Sequence, residues 1–138
     1  MTESLQRFVE AQAASYATAL REIQNGRKET HWMWFIFPQL RGLGHSATSV
    51  HFGIRDQTEA QDYLNHPVLG SRLQQITEAV LHSEKSVLVL FGDIDALKFS
   101  SCMTLFATIT DENSVFAEAL SCITPIDEKT LKILRLSD

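Results

Sequence analysis

The chain has 138 residues, of which 44% are apolar and 21% charged, and its formal net charge is −5. A chain of this size and balance forms one domain that buries about 68–70% of its unfolded surface, which excludes a disordered polymer. The acidic balance excludes a duplex nucleic-acid surface, because such surfaces gather Lys and Arg against phosphate and Arg27-Lys28 is a pair, not a stripe.

Taken in chain order, Leu5, Phe8, Val9, Tyr16, Leu20 and Ile23 recur at helical spacing and predict an amphipathic helix from Leu5 to Gln24. Thr2 or Ser4 can cap its start and Gly26 can end it. Gln12 falls on the apolar face, either at the edge of the buried stripe or pointing into a site. Thr30 to Phe37 is apolar on nearly every side and predicts a helix buried all round, which Pro38 stops. Gln39 to His45 reads as a loop, and Ser46 caps a short helix that runs to about Phe52 and ends at Gly53.

Asp56-Gln57-Thr58-Glu59 has the form of a capping box ahead of Ala60, Tyr63 and Leu64. After Pro67, Leu69, Leu73, Ile76 and Val80 share one helical face. Ser86 to Phe91 has strand propensity but no partner strand, and between helical neighbours it is read as a short buried helix. Asp93 can cap a helix through Leu97, Met103, Leu105, Phe106 and Ile109; Ser114 to Ile123 forms another, and Thr124-Pro125 with Asp127 starts the last. Gaps are short and no repeat or low-complexity tract interrupts them. The fold class expected is all-α, a compact single domain over residues 1–138 with six to eight packed helices.

Cys102 and Cys122 lack CxxC spacing and read as small buried hydrophobes. The N-terminal residues lack the basic and apolar regions of a signal peptide, and the longest apolar runs, Trp32 to Phe37 and Val87 to Phe91, fall short of the ~20 residues of a membrane span. A soluble, reduced, cytoplasmic protein without a membrane partner is expected. Phosphate-loop, HExxH, GxSxG and EF-hand motifs are absent, and no two of the five histidines stand at i, i+4, so no metal site is expected. No cofactor fingerprint is present, which leaves cofactors and oligomeric state undefined.

The unusual segment is His31-Trp32-Met33-Trp34-Phe35-Ile36-Phe37-Pro38-Gln39, which holds both tryptophans. Core packing alone accounts for its aromatics, since large apolar side chains are mostly buried. Its polar neighbours suggest more. On a helix His31 would lie against Trp34 and Phe35, needing a partner or ligand, and an imidazole titrates near neutrality; His31 is the candidate catalytic residue. In the loop that follows, Gln39, Arg41, Gly42, Gly44 and Ser46 combine a guanidinium fork, permissive glycines and a helix start, a pattern that suits an anion although such loops often only turn the chain. Lys98, Ser101 and Thr104 stand in an otherwise apolar helix, where they either snorkel and bond back to the helix or face a cleft beside the aromatics.

The run HWMWFIFPQLRGLG from His31 to Gly44 resembles the signature of a bacterial family known as domain of unknown function 1810. The likeness extends to Arg7-Phe8-Val9 with Gln12 and Tyr16, to Tyr63-Leu64 with His66-Pro67, and to Leu97-Lys98 with Ser101 and Met103-Thr104-Leu105-Phe106. The resemblance implies a compact all-helical fold and brings no activity, cofactor or catalytic residue. Some members carry the label calpastatin, which names disordered inhibitors and does not suit this globular composition. The function expected is binding of a small molecule, a nucleotide, ribosyl derivative or other anionic metabolite, with enzymatic activity left open. In that reading Trp32 or Trp34 stacks on the ligand, Arg41 and the loop hold the anion, Lys98 and Ser101 add polar contacts, and His31 serves as acid or base. The alternative is a non-catalytic protein-interaction module using the same apolar features, and a purely structural oligomer is third.

Overall fold

Short polar side chains set where most of the helices begin. The computed structural model describes residues 2–137, and side chains over 5–135. Its helices are α1 (Thr2–Gln24), α2 (Met33–Ile36), α3 (Ala47–Phe52), α4 (Gln57–Asn65), α5 (Leu69–Leu81), α6 (Val87–Thr108), α7 (Val115–Cys122) and α8 (Glu128–Ser137). The side-chain oxygens of Ser46, Asp56, Ser86 and Ser114 each accept the N–H three residues on, the standard satisfaction of an orphan donor at a helix start. His66 does the same through its ring: Nδ1 accepts from Val68 and Leu69 at 3.1 and 3.2 Å. The cap expected at Thr2 or Ser4 lies outside the described side chains.

The apolar stripes pack as their spacing requires. Leu5, Phe8 and Ile23 of α1 are buried, as are Leu69, Leu73, Ile76 and Val80 of α5, and these two helices lie against each other. α6 packs on α7 and α8, and the core continues as an aromatic chain from Phe8 through Tyr63 and Phe106 to Phe116. A buried ion pair locks α1 to α4, with Arg7 Nη2 3.1 Å from Glu59 Oε1 and the same guanidinium donating to the carbonyls of His51 and Gly53. Among the described residues the β-type pairing is an isolated parallel bridge, Leu40 with Ile54, which pins the loop after Pro38 to the segment after α3.

Three expectations need correction. The helix read over Thr30 to Phe37 is only the single turn α2, and Thr30 and His31 are exposed. The helical reading of Ser86 to Phe91 stands, yet the segment is not wholly buried, since Leu88 and Val89 are each 57% exposed. Cys122 is exposed, unlike buried Cys102. The first arm of α6 ends at Gly92, whose φ of +83° is a conformation that side chains with a Cβ rarely adopt. Just before that break the Leu90 carbonyl accepts the Lys28 N–H at 2.8 Å, which carries Lys28 to the second arm of α6.

Candidate functional site

The aromatic segment is shaped by one carboxylate. Glu22, near the end of α1 and 6% exposed, accepts the N–H groups of Glu29 and Thr30, the Thr30 hydroxyl and the Trp32 indole N–H, all within 3.0 Å. Burial opposes its ionisation, but these hydrogen bonds prevail and bring its pKa down to about 2. They also tie the Glu29–Thr30 backbone to the end of α1, and the helix begins at Met33, after a non-helical Trp32. Trp32 is thereby sealed, 2% exposed, with its ring against Phe37 and Phe91.

Trp34, two positions on, is only half-buried, and the Lys98 ammonium lies 4.1 Å from its ring centroid. Lys98 Nζ is 3.1 Å from Asp95 Oδ1, and the other Asp95 oxygen is 3.0 Å from Lys28 Nζ. Burial works against the Asp95 carboxylate, but hydrogen bonds and charge from the two lysines hold its pKa below the ordinary value. Two ammoniums against one carboxylate leave a net charge of about +1 on partly desolvated groups, in a chain that is acidic as a whole.

Two clefts meet at the Trp34–Lys98 pair. The first, about 310 Å³, includes Lys28, His31, Trp34, Thr48, Asp95 and Lys98 in its lining. His31 stands exposed at its edge, not packed on a helix face as expected. The second, about 360 Å³, has Trp34, Lys98, Gln39, Ser101, Asp127 and Lys129 as its polar and aromatic lining, with Leu43, Ile94 and Leu97 as apolar surface. Ser101 Oγ is 2.8 Å from Asp127 Oδ2, and Gln39 and Ser101 are buried. A larger depression of about 590 Å³ lies between the ends of α1 and α5, but its titratable side chains, His82, Glu84 and Lys85, are exposed and its lining includes no Phe, Tyr or Trp. Chemistry favours the smaller pair of clefts.

Of the residues singled out in the sequence, His31, Trp32, Trp34, Gln39, Gly44, Lys98 and Ser101 line one or both clefts, Trp32 from within the core. Arg41, Gly42 and Ser46 line neither. The Arg41 main chain donates to Ile54 at 2.7 Å, and its Nε is buried with no hydrogen-bond partner among the described residues. Gly42 takes φ +108° to turn the chain, and a Cβ there would sit 3.4 Å from Ile133. Ser46 spends its hydroxyl on the Ser49 N–H, so α3 begins already capped. Thr104 is structural, donating to Ser100 and accepting the Asp127 N–H.

Sequence reasoning missed Lys28, Asp95 and Asp127. Asp95 carried a local signal, its i, i+3 spacing to Lys98 on one helix. Asp127 was read as part of a helix start, a role it keeps by accepting the Thr130 N–H at 3.3 Å. Lys28 carried no local signal, because Asp95 reaches it only through the fold.

A family model described as "Protein of unknown function (DUF1810)" matches residues 2–134. The crystal structure of the conserved hypothetical protein Rv1873 from Mycobacterium tuberculosis is 46% identical, with 95% of this chain and 96% of that chain covered and a TM-score of 0.91. No curated protein matches the chain.

Proposed function

The chain belongs to the DUF1810 family, and we propose that it is a small-molecule-binding protein whose ligand is a nucleotide, a ribosyl derivative or another anionic metabolite held beside Trp34. The observation that supports this most is the Lys28–Asp95–Lys98 array against the Trp34 ring. An ammonium already partly stripped of water and held by a neighbouring carboxylate meets an anion at a lower ordering cost than a free surface lysine. Half-buried Trp34 adds a flat apolar wall in the same clefts. His31, at the edge of the first cleft, is the group positioned to exchange a proton with a bound ligand if the protein is an enzyme. The location that goes with this reading is the cytoplasm, with Cys102 and Cys122 as free thiols. Duplex nucleic acid has no place in it, since the chain is acidic as a whole, with a formal net charge of −5.

A thermal-shift screen against nucleotides, sugar phosphates and simple carboxylates tests the proposal. A ligand at about 100 times its dissociation constant adds ~2.7 kcal/mol, several degrees for a domain of this size. The expected result is a stabilising phosphorylated or carboxylated compound whose effect shrinks in Lys98→Ala and in Lys28→Ala. A flat screen, or a hit indifferent to both substitutions, contradicts it.

A second reading, a non-catalytic interaction module, draws on a different observation. Leu88 and Val89 before Gly92, and Ile94 and Leu97 after it, are 57%, 57%, 72% and 70% exposed. That reading predicts a flat metabolite screen.

A further inference from the structure

We infer that the second cleft recognises adjacent hydroxyls of a phosphorylated sugar or polyol through Gln39 and Asp127, an inference that rests on the anion-binding reading above. It begins from two polar groups that the protein leaves unused. Gln39 is 8% exposed and lines the cleft, yet its side-chain amide makes no hydrogen bond to any described residue. Most of the residue is buried, but the amide atoms are not among the fully buried unpaired ones, so they meet water at the cleft, where a ligand can take that water's place. The Gln39 position is not loosely held, because it follows Pro38 and its carbonyl accepts the Ile54 N–H at 2.9 Å.

Asp127 is the complementary half. Its Oδ2 lies 2.8 Å from Ser101 Oγ, 2.5 Å from Thr130 Oγ1 and 3.3 Å from the Thr130 N–H. Its own N–H donates to Thr104 Oγ1 at 2.9 Å. The carboxylate is therefore held from both α6 and α8, while Oδ1 accepts nothing from the described residues.

A fixed carboxylate oxygen accepts and cannot donate, so it calls for an O–H or N–H on the ligand; an amide both donates and accepts. One acceptor and one two-way group lining the same cleft suit two neighbouring hydroxyls, each of which donates one proton and offers lone pairs. A bare anion is repelled by Asp127, whereas a sugar phosphate places its charge on Lys98, which lines both clefts, and its hydroxyls away from it. Leu43, Ile94 and Leu97 provide apolar surface for the C–H face of such a ring.

Isothermal titration of the full chain with ribose 5-phosphate, 2-deoxyribose 5-phosphate and inorganic phosphate is the test. Ribose 5-phosphate is expected to bind about tenfold or more tightly than the deoxy sugar, the worth of one or two hydrogen bonds. Gln39→Leu is expected to remove most of that difference while leaving the weaker, Lys98-dependent phosphate binding in place. Asp127→Asn, which keeps a capping side chain at α8, is expected to act in the same direction. If the three compounds bind alike and all depend on Lys98, the hydroxyl inference is overturned and the anion reading stands. If none of them, nor any other anion of the thermal-shift screen, binds, both fall together.

Discussion

Trp32 and Trp34 stand two residues apart on the same segment, and each has a lysine over its ring, Lys28 at Trp32 and Lys98 at Trp34, and a carboxylate close by. Around Trp32 the polar side is closed by the protein: Glu22 takes four donors, the indole N–H among them, and the ring packs on Phe37 and Phe91, with the Lys28 ammonium 5.0 Å from its centroid. Around Trp34 the answers are incomplete. The Lys28–Asp95–Lys98 array keeps a positive excess, and among the described residues the Gln39 amide has no partner and one Asp127 oxygen accepts nothing. The same residue types thus serve as structure on one side of the chain and as a candidate site on the other. What separates the two is the number of hydrogen-bonding groups left over, not the kind of residue.

The comparison is most sharply broken by substitution of the two rings. Trp32→Ala should cost about 3–5 kcal/mol, the range for deleting a large buried aromatic. Trp34→Ala should cost less than half of that, since its ring is partly in solvent already. Urea unfolding of both variants measures the difference, and equal losses would remove the distinction.

Next in size is Glu22→Gln, expected to cost about 2–3 kcal/mol because an ionised acceptor of four donors is replaced by a group that itself carries donors. Its pH signature has a definite sign. The folded pKa of about 2 lies below the ordinary 4.5, so the contribution is complete above pH 4.5 and is lost as pH falls from there toward 2. Wild type should lose stability across that window more steeply than Glu22→Gln. Parallel curves would mean that Glu22 does not hold the segment.

The two buried glutamines give a smaller but cleaner contrast. Gln12 donates to the Phe35 carbonyl at 2.8 Å and to the Tyr63 hydroxyl at 2.9 Å, so Gln12→Leu should cost about 1–3 kcal/mol by leaving buried groups unpaired. Gln39→Leu should be neutral within about 0.5 kcal/mol or stabilising, because nothing in the protein loses a partner. Lys98→Ala, which breaks a partly exposed ion pair, should change stability by about 1 kcal/mol or less while weakening anion binding.

Much of the fold was legible because its signals are local. Caps at Ser46 and Asp56, the stop at Pro38 and the stripes of α1 and α5 each depend on residues within a turn or two of one another. The false long helix over Thr30 to Phe37 shows where that stops: hydrophobicity permits it, but the residues ahead of Met33 are non-helical and are tied to Glu22 of the preceding helix, a contact no local pattern reveals. The site was half legible for the same reason. Trp34, Gln39, Lys98 and Ser101 stood out as odd residues in apolar runs, whereas Lys28 meets Asp95 only once Gly92 has broken α6 and the Leu90 carbonyl has captured the Lys28 main chain. Arg41 and Ser46 looked promising by type, but Arg41 lines neither cleft and Ser46 spends its hydroxyl as the cap of α3.

The most direct test is an NMR titration that follows the two indole N–H signals of the 15N-labelled protein as ribose 5-phosphate is added. The Trp32 signal, bound to Glu22 in the core, should stay in place, while that of Trp34 moves along a saturable curve that Lys98→Ala flattens. If neither signal moves, or if both move together, the division into a closed side and a receptive side is wrong.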